Sequence, residues 1–155
     1  MTTSMLNPSV NHVGDDELPW ADTGIGIELK VLRVSVDSGV WVVRNRFQAG
    51  VRIPRHRHTG PVEGYTLTGR WHYLEYDFWS TPGSYIFEPA YSVHTLDVPA
   101  DNTEPTDVLF VISGVLLNLT DNDEIESVSD GPNTLAAYYA LLEAQGLPRP
   151  AGVLG

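Results

Sequence analysis

Between Ile25 and Leu119 the chain reads as short β-prone runs, broken at close intervals by Gly, Pro, Asp and Ser. Ile25, Ile27, Leu29, Val31 and Arg33 alternate with Gly26, Glu28, Lys30 and Leu32, the period of a strand. A turn at Asp37-Ser38-Gly39 leads to Val40–Phe47, β-branched and aromatic. After Gly50 an extended segment runs from Val51 to His58, and Pro54 within it marks an edge or a bulge. Thr59-Gly60-Pro61 turns into Gly64–Thr68, and Gly69 turns again into Arg70–Phe78, rich in aromatics (Trp71, Tyr73, Tyr76, Phe78). Further strands are expected at Ser84–Glu88, Val93–Val98 and Val108–Leu119, with Gly114 a candidate bulge in the last. The period then changes. Leu135, Tyr138, Tyr139 and Leu142 fall at helical spacing within Thr134–Gln145, with Asn133 or Thr134 as cap and Gly146 and Pro148 as stop. The fold class is therefore all-β, a single-domain sandwich or barrel with one C-terminal helix. The expected divisions are an N-terminal arm over 1–22 that packs Trp20, a barrel over 23–120, and a helix and tail over 121–155 that pack on it.

At 155 residues, 42% of them hydrophobic, the chain can bury a core unaided. It contains no cysteine, so disulfides, zinc fingers, iron–sulfur clusters and thiol nucleophiles are excluded, and any metal must be held by nitrogen and oxygen. The formal net charge is −11. A phosphate backbone or an acidic membrane would be repelled, so neither nucleic acid nor membrane is an expected partner. No apolar run is long enough to span a bilayer, and the opening MTTSMLNPSV lacks a basic segment followed by an apolar one. Cytoplasmic location is the expectation. Seven of the nine Lys and Arg lie within Arg33–Arg70, with Lys30 just before. Several alternate with apolar residues, as on the outer faces of strands.

The chemistry concentrates in Gly50-Val-Arg-Ile-Pro-Arg-His56-Arg-His58-Thr-Gly-Pro-Val-Glu63. On a strand, His56 and His58 point to one face and can close on one ion, while Arg55 and Arg57 point to the other. After the turn Glu63 is expected near the pair. Imidazole with carboxylate suits zinc, iron, nickel or manganese. The whole segment resembles the first motif of the cupin superfamily, G-x5-H-x-H-x(3,4)-E-x6-G, with Gly69 one residue early. The second motif, G-x5-P-x-G-x2-H-x3-N, is matched by Gly83, Pro89 and His94, with Tyr91 in place of the second glycine and Val98 in place of asparagine. The resemblance implies a double-stranded β-helix, a jelly-roll barrel, and a divalent metal held by His56, His58 and His94 with Glu63 as the expected fourth ligand.

Closer still, PRHRHTGPVEGYTLTGRWHYLEYDF followed by GSYIFEPAYSVHTL is similar to the 2,4'-dihydroxyacetophenone dioxygenase family, whose functional cousins cleave acetylacetone. The similarity runs from about Trp20 to Leu116. It implies non-haem Fe(II), with Zn, Ni or Mn as other candidates, and O2-dependent cleavage of a C–C bond beside a carbonyl. A dihydroxyacetophenone would give a hydroxybenzoate and formate. Some cupins use the motif carboxylate as a fourth ligand, and three-histidine dioxygenases do without it. The expected partners are a small-molecule substrate and O2, with homodimerisation through an edge strand. No catalytic residue is expected beyond the metal site. Tyr65, Trp71, Tyr73 and Phe87 are candidates for an aromatic substrate pocket. His72 alternates out of phase with Trp71 and Tyr73 and is expected outside, His12 solvated, and Glu75, Asp77 and Glu88 are expected as surface charge. A second class of function is a non-catalytic zinc-binding sensor or regulatory module, similar to the cupin half of anti-sigma factors.

Overall fold

The computed structural model describes residues 8–155, so the first residues of the expected N-terminal arm, 1–7, lie outside the described residues. Among the described residues, eleven strands form two antiparallel sheets. One sheet contains β1 (Ala21–Asp22), β2 (Ile27–Ser35), β3 (Val40–Phe47), β9 (Thr106–Ser113), β5 (Val62–Thr68) and β7 (Tyr85–Glu88), in that order across the sheet. The other contains β11 (Ile125–Ser129), β10 (Leu116–Leu119), β4 (Arg52–His58), β8 (Val93–Asp97) and β6 (His72–Tyr73). Alternation along each strand sends one set of side chains inward. Val31, Val43, Phe47, Val62, Val108 and Phe110 of the first sheet meet Tyr73 and Leu96 of the second in one core. This is the jelly-roll barrel that the sequence pattern implies.

Three segments differ from the sequence expectation. Val108–Leu119 is not one bulged strand. At Gly114, where φ is +78°, the chain turns the corner between the sheets, leaving β9 in one and β10 in the other. The expected strand Arg70–Phe78 is reduced to His72–Tyr73. Beyond Tyr73 the Glu75 carboxylate accepts from the backbone N–H (2.6 Å) and the hydroxyl (2.8 Å) of Thr95 in β8, so a side chain replaces a ladder partner and the backbone leaves the sheet. Finally, Ile125–Ser129 forms β11, although it is almost wholly exposed and has no inward apolar row to announce it.

The C-terminal helix, α1 (Gly131–Ala144), starts earlier than expected. Asp130 caps it by accepting from the Asn133 N–H, while Asn133 bonds back to the Asp130 N–H, so Gly131 and Pro132 belong to the first turn, where a missing N–H costs nothing. Tyr138 and Leu142 are fully buried against the barrel, and Leu135 and Tyr139 pack around them. The arm is fastened at two points. Asp15 pairs with Lys30 and Arg44, and the Trp20 ring lies under the cations of Lys30, Arg44 and Arg46 at 4.8, 5.1 and 4.3 Å.

Candidate metal centre

His56 and His58 reach the barrel interior only because β4 carries an extra residue. Ile53 pairs with Leu96 and His56 with His94, so three steps on β4 match two on β8. The bulge falls at Pro54 and Arg55, the place marked by the proline. Without it Ile53 and His56, an odd number of residues apart, would face opposite ways; with it both face inward. The bulge also frees the Pro54 carbonyl, which lies 2.8 Å from His56 Nδ1. An imidazole that donates there carries its proton on Nδ1 and presents a bare Nε2.

His94 stands directly across from His56 in the β4–β8 ladder, and the three rings crowd together with centroids 4.5 to 6.0 Å apart. One donor nitrogen from each histidine lies within 4.8 Å of the others. All three side chains are buried. Burial, then the neighbouring imidazole His94, pushes His56 down to about 4; burial outweighs the pull of Glu88 on His58 and brings it to about 4 as well. Both are therefore neutral near pH 7, the form in which imidazole binds metal. His58 Nδ1 and His94 Nε2 are buried without a hydrogen-bond partner among the described residues. Orphaned nitrogens of this kind, converging in a site without thiols, fit a divalent ion.

Glu63 is not part of this group, a correction to the sequence expectation. In β5 the buried positions are Val62, Gly64 and Thr66, and Glu63 lies on the outer face opposite Phe87. Its Oε1 accepts a 2.7 Å hydrogen bond from the Tyr85 hydroxyl. Four residues between His58 and Glu63 put the carboxylate one step out of phase, and Val62 faces the histidines instead. The carboxylate that does reach the centre is Glu88, expected on the surface but 5% exposed. It shares the inner face of β7 with Ile86. Glu88 Oε1 lies 2.6 Å from His94 Nε2, and Oε2 accepts a 2.9 Å hydrogen bond from Tyr73. Burial pushes Glu88 up, but His94, His58 and the Tyr73 hydroxyl together hold it below the usual carboxylate value. The alternation Ile86–Glu88 was the available sequence signal.

The four pocket candidates separate. Tyr73 belongs to the site: its ring stacks on His94 at 4.3 Å, and burial followed by Glu88 drives its hydroxyl pKa well up. Trp71 is core, 0% exposed, with its indole N–H on Thr66 Oγ1. Tyr65 is exposed on the outer face of β5, away from the site. Phe87 is largely exposed and reaches only the rim of the pocket beside His94. That pocket holds about 230 Å³, and its wall includes Tyr76 and Phe78, carried by the loop that replaced the expected strand. A smaller cavity of about 60 Å³ lies against His56 and His58. His72 is outside the site, stacked on Trp79 and bonded to Asp97, and His12 is exposed.

A jelly-roll barrel with three inward histidines, two from one strand and one from its neighbour, defines a metal-site cupin. Residues 9–117 match the family described as the ChrR cupin-like domain, and the chain belongs to that family. Among solved structures, it is similar to a cupin-like protein of unknown function from Ralstonia eutropha JMP134, with 29% identity, a TM-score of 0.82 and coverage of 90% of this chain and 89% of the other. A second protein of that organism, an RmlC-like cupin, shares 25% identity over 97% and 98% of the chains, with a TM-score of 0.87. The acetylacetone dioxygenase of Acinetobacter johnsonii has the same fold, with 18% identity, a TM-score of 0.73 and coverage of 86% and 92%. No curated protein matches the sequence.

Proposed function

We propose that this protein is a metal-dependent dioxygenase, with Fe(II) as its ion, that cleaves a C–C bond next to a carbonyl in a hydroxyacetophenone or diketone-like substrate. The observation that carries this reading is the buried three-histidine group opening onto an aromatic-walled pocket beside His94. His56, His58 and His94 would hold the ion. When bound, it supplies Lewis acidity that favours the enolate of the substrate, together with the redox chemistry that O2 requires. The rest falls to the chain. The Pro54 carbonyl fixes the His56 tautomer. Tyr76 and Phe78 offer flat apolar surface to an aromatic or diketone skeleton and displace water from it. Tyr73 packs His94 in place from one side.

The second reading is a zinc-binding regulatory module, favoured by the description of the matched family. O2 consumption separates the two. Metal-free protein is reconstituted anaerobically with Fe(II), then given 2,4'-dihydroxyacetophenone and a set of β-diketones. Uptake that requires both iron and His56 is the outcome expected of the dioxygenase. No uptake, with tight zinc binding in its place, would favour the regulatory module.

A further inference from the structure

We propose that Glu88 is the fourth donor to the metal, binding through Oε1 while the Tyr73 hydroxyl holds Oε2. The inference rests on the three-histidine group being a metal site, and not on whether that site turns over a substrate or senses zinc. Glu88 Oε1 and His94 Nε2 are 2.6 Å apart, with side chains 6% and 1% exposed. That is hydrogen-bond distance, yet neither atom is aligned on the other, and neither has another partner among the described residues. Two buried polar atoms this close, off axis and away from water, are left uncompensated, and a positive charge that both can face would satisfy them.

A divalent ion meets that requirement. Metal–nitrogen and metal–oxygen bonds of about 2.0–2.2 Å place neighbouring donors about 3.0 Å apart at a right angle and about 3.4 Å apart in a tetrahedral site, so the two atoms, 2.6 Å apart, need to separate by only several tenths of an ångström to share an ion. The surroundings hold the carboxylate ready. Tyr73 occupies Oε2, leaving one oxygen to bind, and its ring stacks on His94, so one side chain braces both donors. The turn after Glu88 is fastened to the centre too, because the Tyr91 N–H donates to the His58 carbonyl at 2.8 Å. The donor set then becomes three imidazoles and one carboxylate, with the carboxylate drawn from β7 rather than from the motif position at Glu63.

The test measures metal rather than turnover. Zn(II) affinity, by competition with a chromophoric chelator, and the visible spectrum of the Co(II)-loaded protein are compared for wild type, Glu88→Gln and Glu63→Gln. Glu88→Gln is expected to weaken Zn(II) binding by at least the order of 10–100-fold seen when a metal site loses a supporting group, and to change the Co(II) bands. Glu63→Gln is expected to leave both unchanged. An infrared difference spectrum of the wild-type protein on Zn(II) addition provides a check that needs no variant to fold: carboxylate bands are expected to shift. Wild-type affinity and spectrum in Glu88→Gln, or no carboxylate shift in wild type, would overturn the assignment of Glu88 while leaving the histidines standing. Failure of the wild type to bind Zn(II) at all would bring down the metal site, and Glu88 with it.

Discussion

His94 is where several lines of the site meet: it faces His56 across a ladder, lies against Glu88 and is stacked by Tyr73. His94→Ala is expected to abolish metal binding, and stoichiometric metal in that variant would remove His94 from the centre. Trp71 tests the division between pocket and core. Being 0% exposed, it is expected to cost about 3–5 kcal/mol of stability on Trp71→Ala, read by urea unfolding, with metal retained in the folded fraction. The histidines were legible in the sequence because a spacing of two on a strand fixes a shared face, and the second motif supplied the third ring. The carboxylate was not, because its face depends on parity. A turn between His58 and Val62 breaks the count, so whether Val62 or Glu63 points inward is settled by how the chain re-enters the sheet. The left-handed backbone at Tyr91, φ +67°, shows the reverse: the motif glycine is replaced, yet the turn keeps the conformation glycine would favour.

The elements legible from the sequence were those whose periodicity the core enforces. Val40–Phe47 is a strand with the expected bounds, and the helix was visible through Tyr138 and Leu142. What alternation could not reveal was a change of sheet within one apolar run. Gly114 makes that change, and a Cβ there would stand 2.4 Å from Thr59 Oγ1 in a left-handed backbone. Gly114→Ala is therefore expected to lose at least about 1–2 kcal/mol, from the backbone term alone, by thermal unfolding. Because Gly114 joins β9 to β10, and β10 pairs with β4 opposite His56 and His58, strain there should also weaken metal binding. The helix start gives a contrast of similar size without a link to the site. Asp130→Ala removes the cap on Asn133 and is expected to cost about 1 kcal/mol while leaving metal affinity unchanged.

At the scale of the molecule, the buried centre ties stability to pH. His56 and His58 titrate near 4 in the folded chain, pushed down first by burial, against 6.5 for an unperturbed imidazole. Between those values the unfolded chain binds protons that the folded chain refuses, so stability rises with pH through the window and is lost as pH falls from about 6.5 toward 4. Each histidine contributes about 2 kcal/mol of that loss by pH 5, since one unit is worth about 1.36 kcal/mol. Glu88, held below its usual value, adds a loss of the same sign at lower pH. Metal-free protein is thus expected to show a falling Tm from pH 7 to pH 5, and the fall should shrink when His56 and His58 are both replaced by glutamine. A bound ion acts in the same direction, because it binds only the neutral rings. At 100 times its Kd it should raise stability by about 2.7 kcal/mol at pH 7, and this increment should itself decline on acidification as protons compete for the same nitrogens. A Tm of the metal-free protein that stays level from pH 7 to pH 5 would mean that the folded barrel accepts protons on His56 and His58, and that the centre is wetter and less suited to neutral imidazole ligation than its burial indicates.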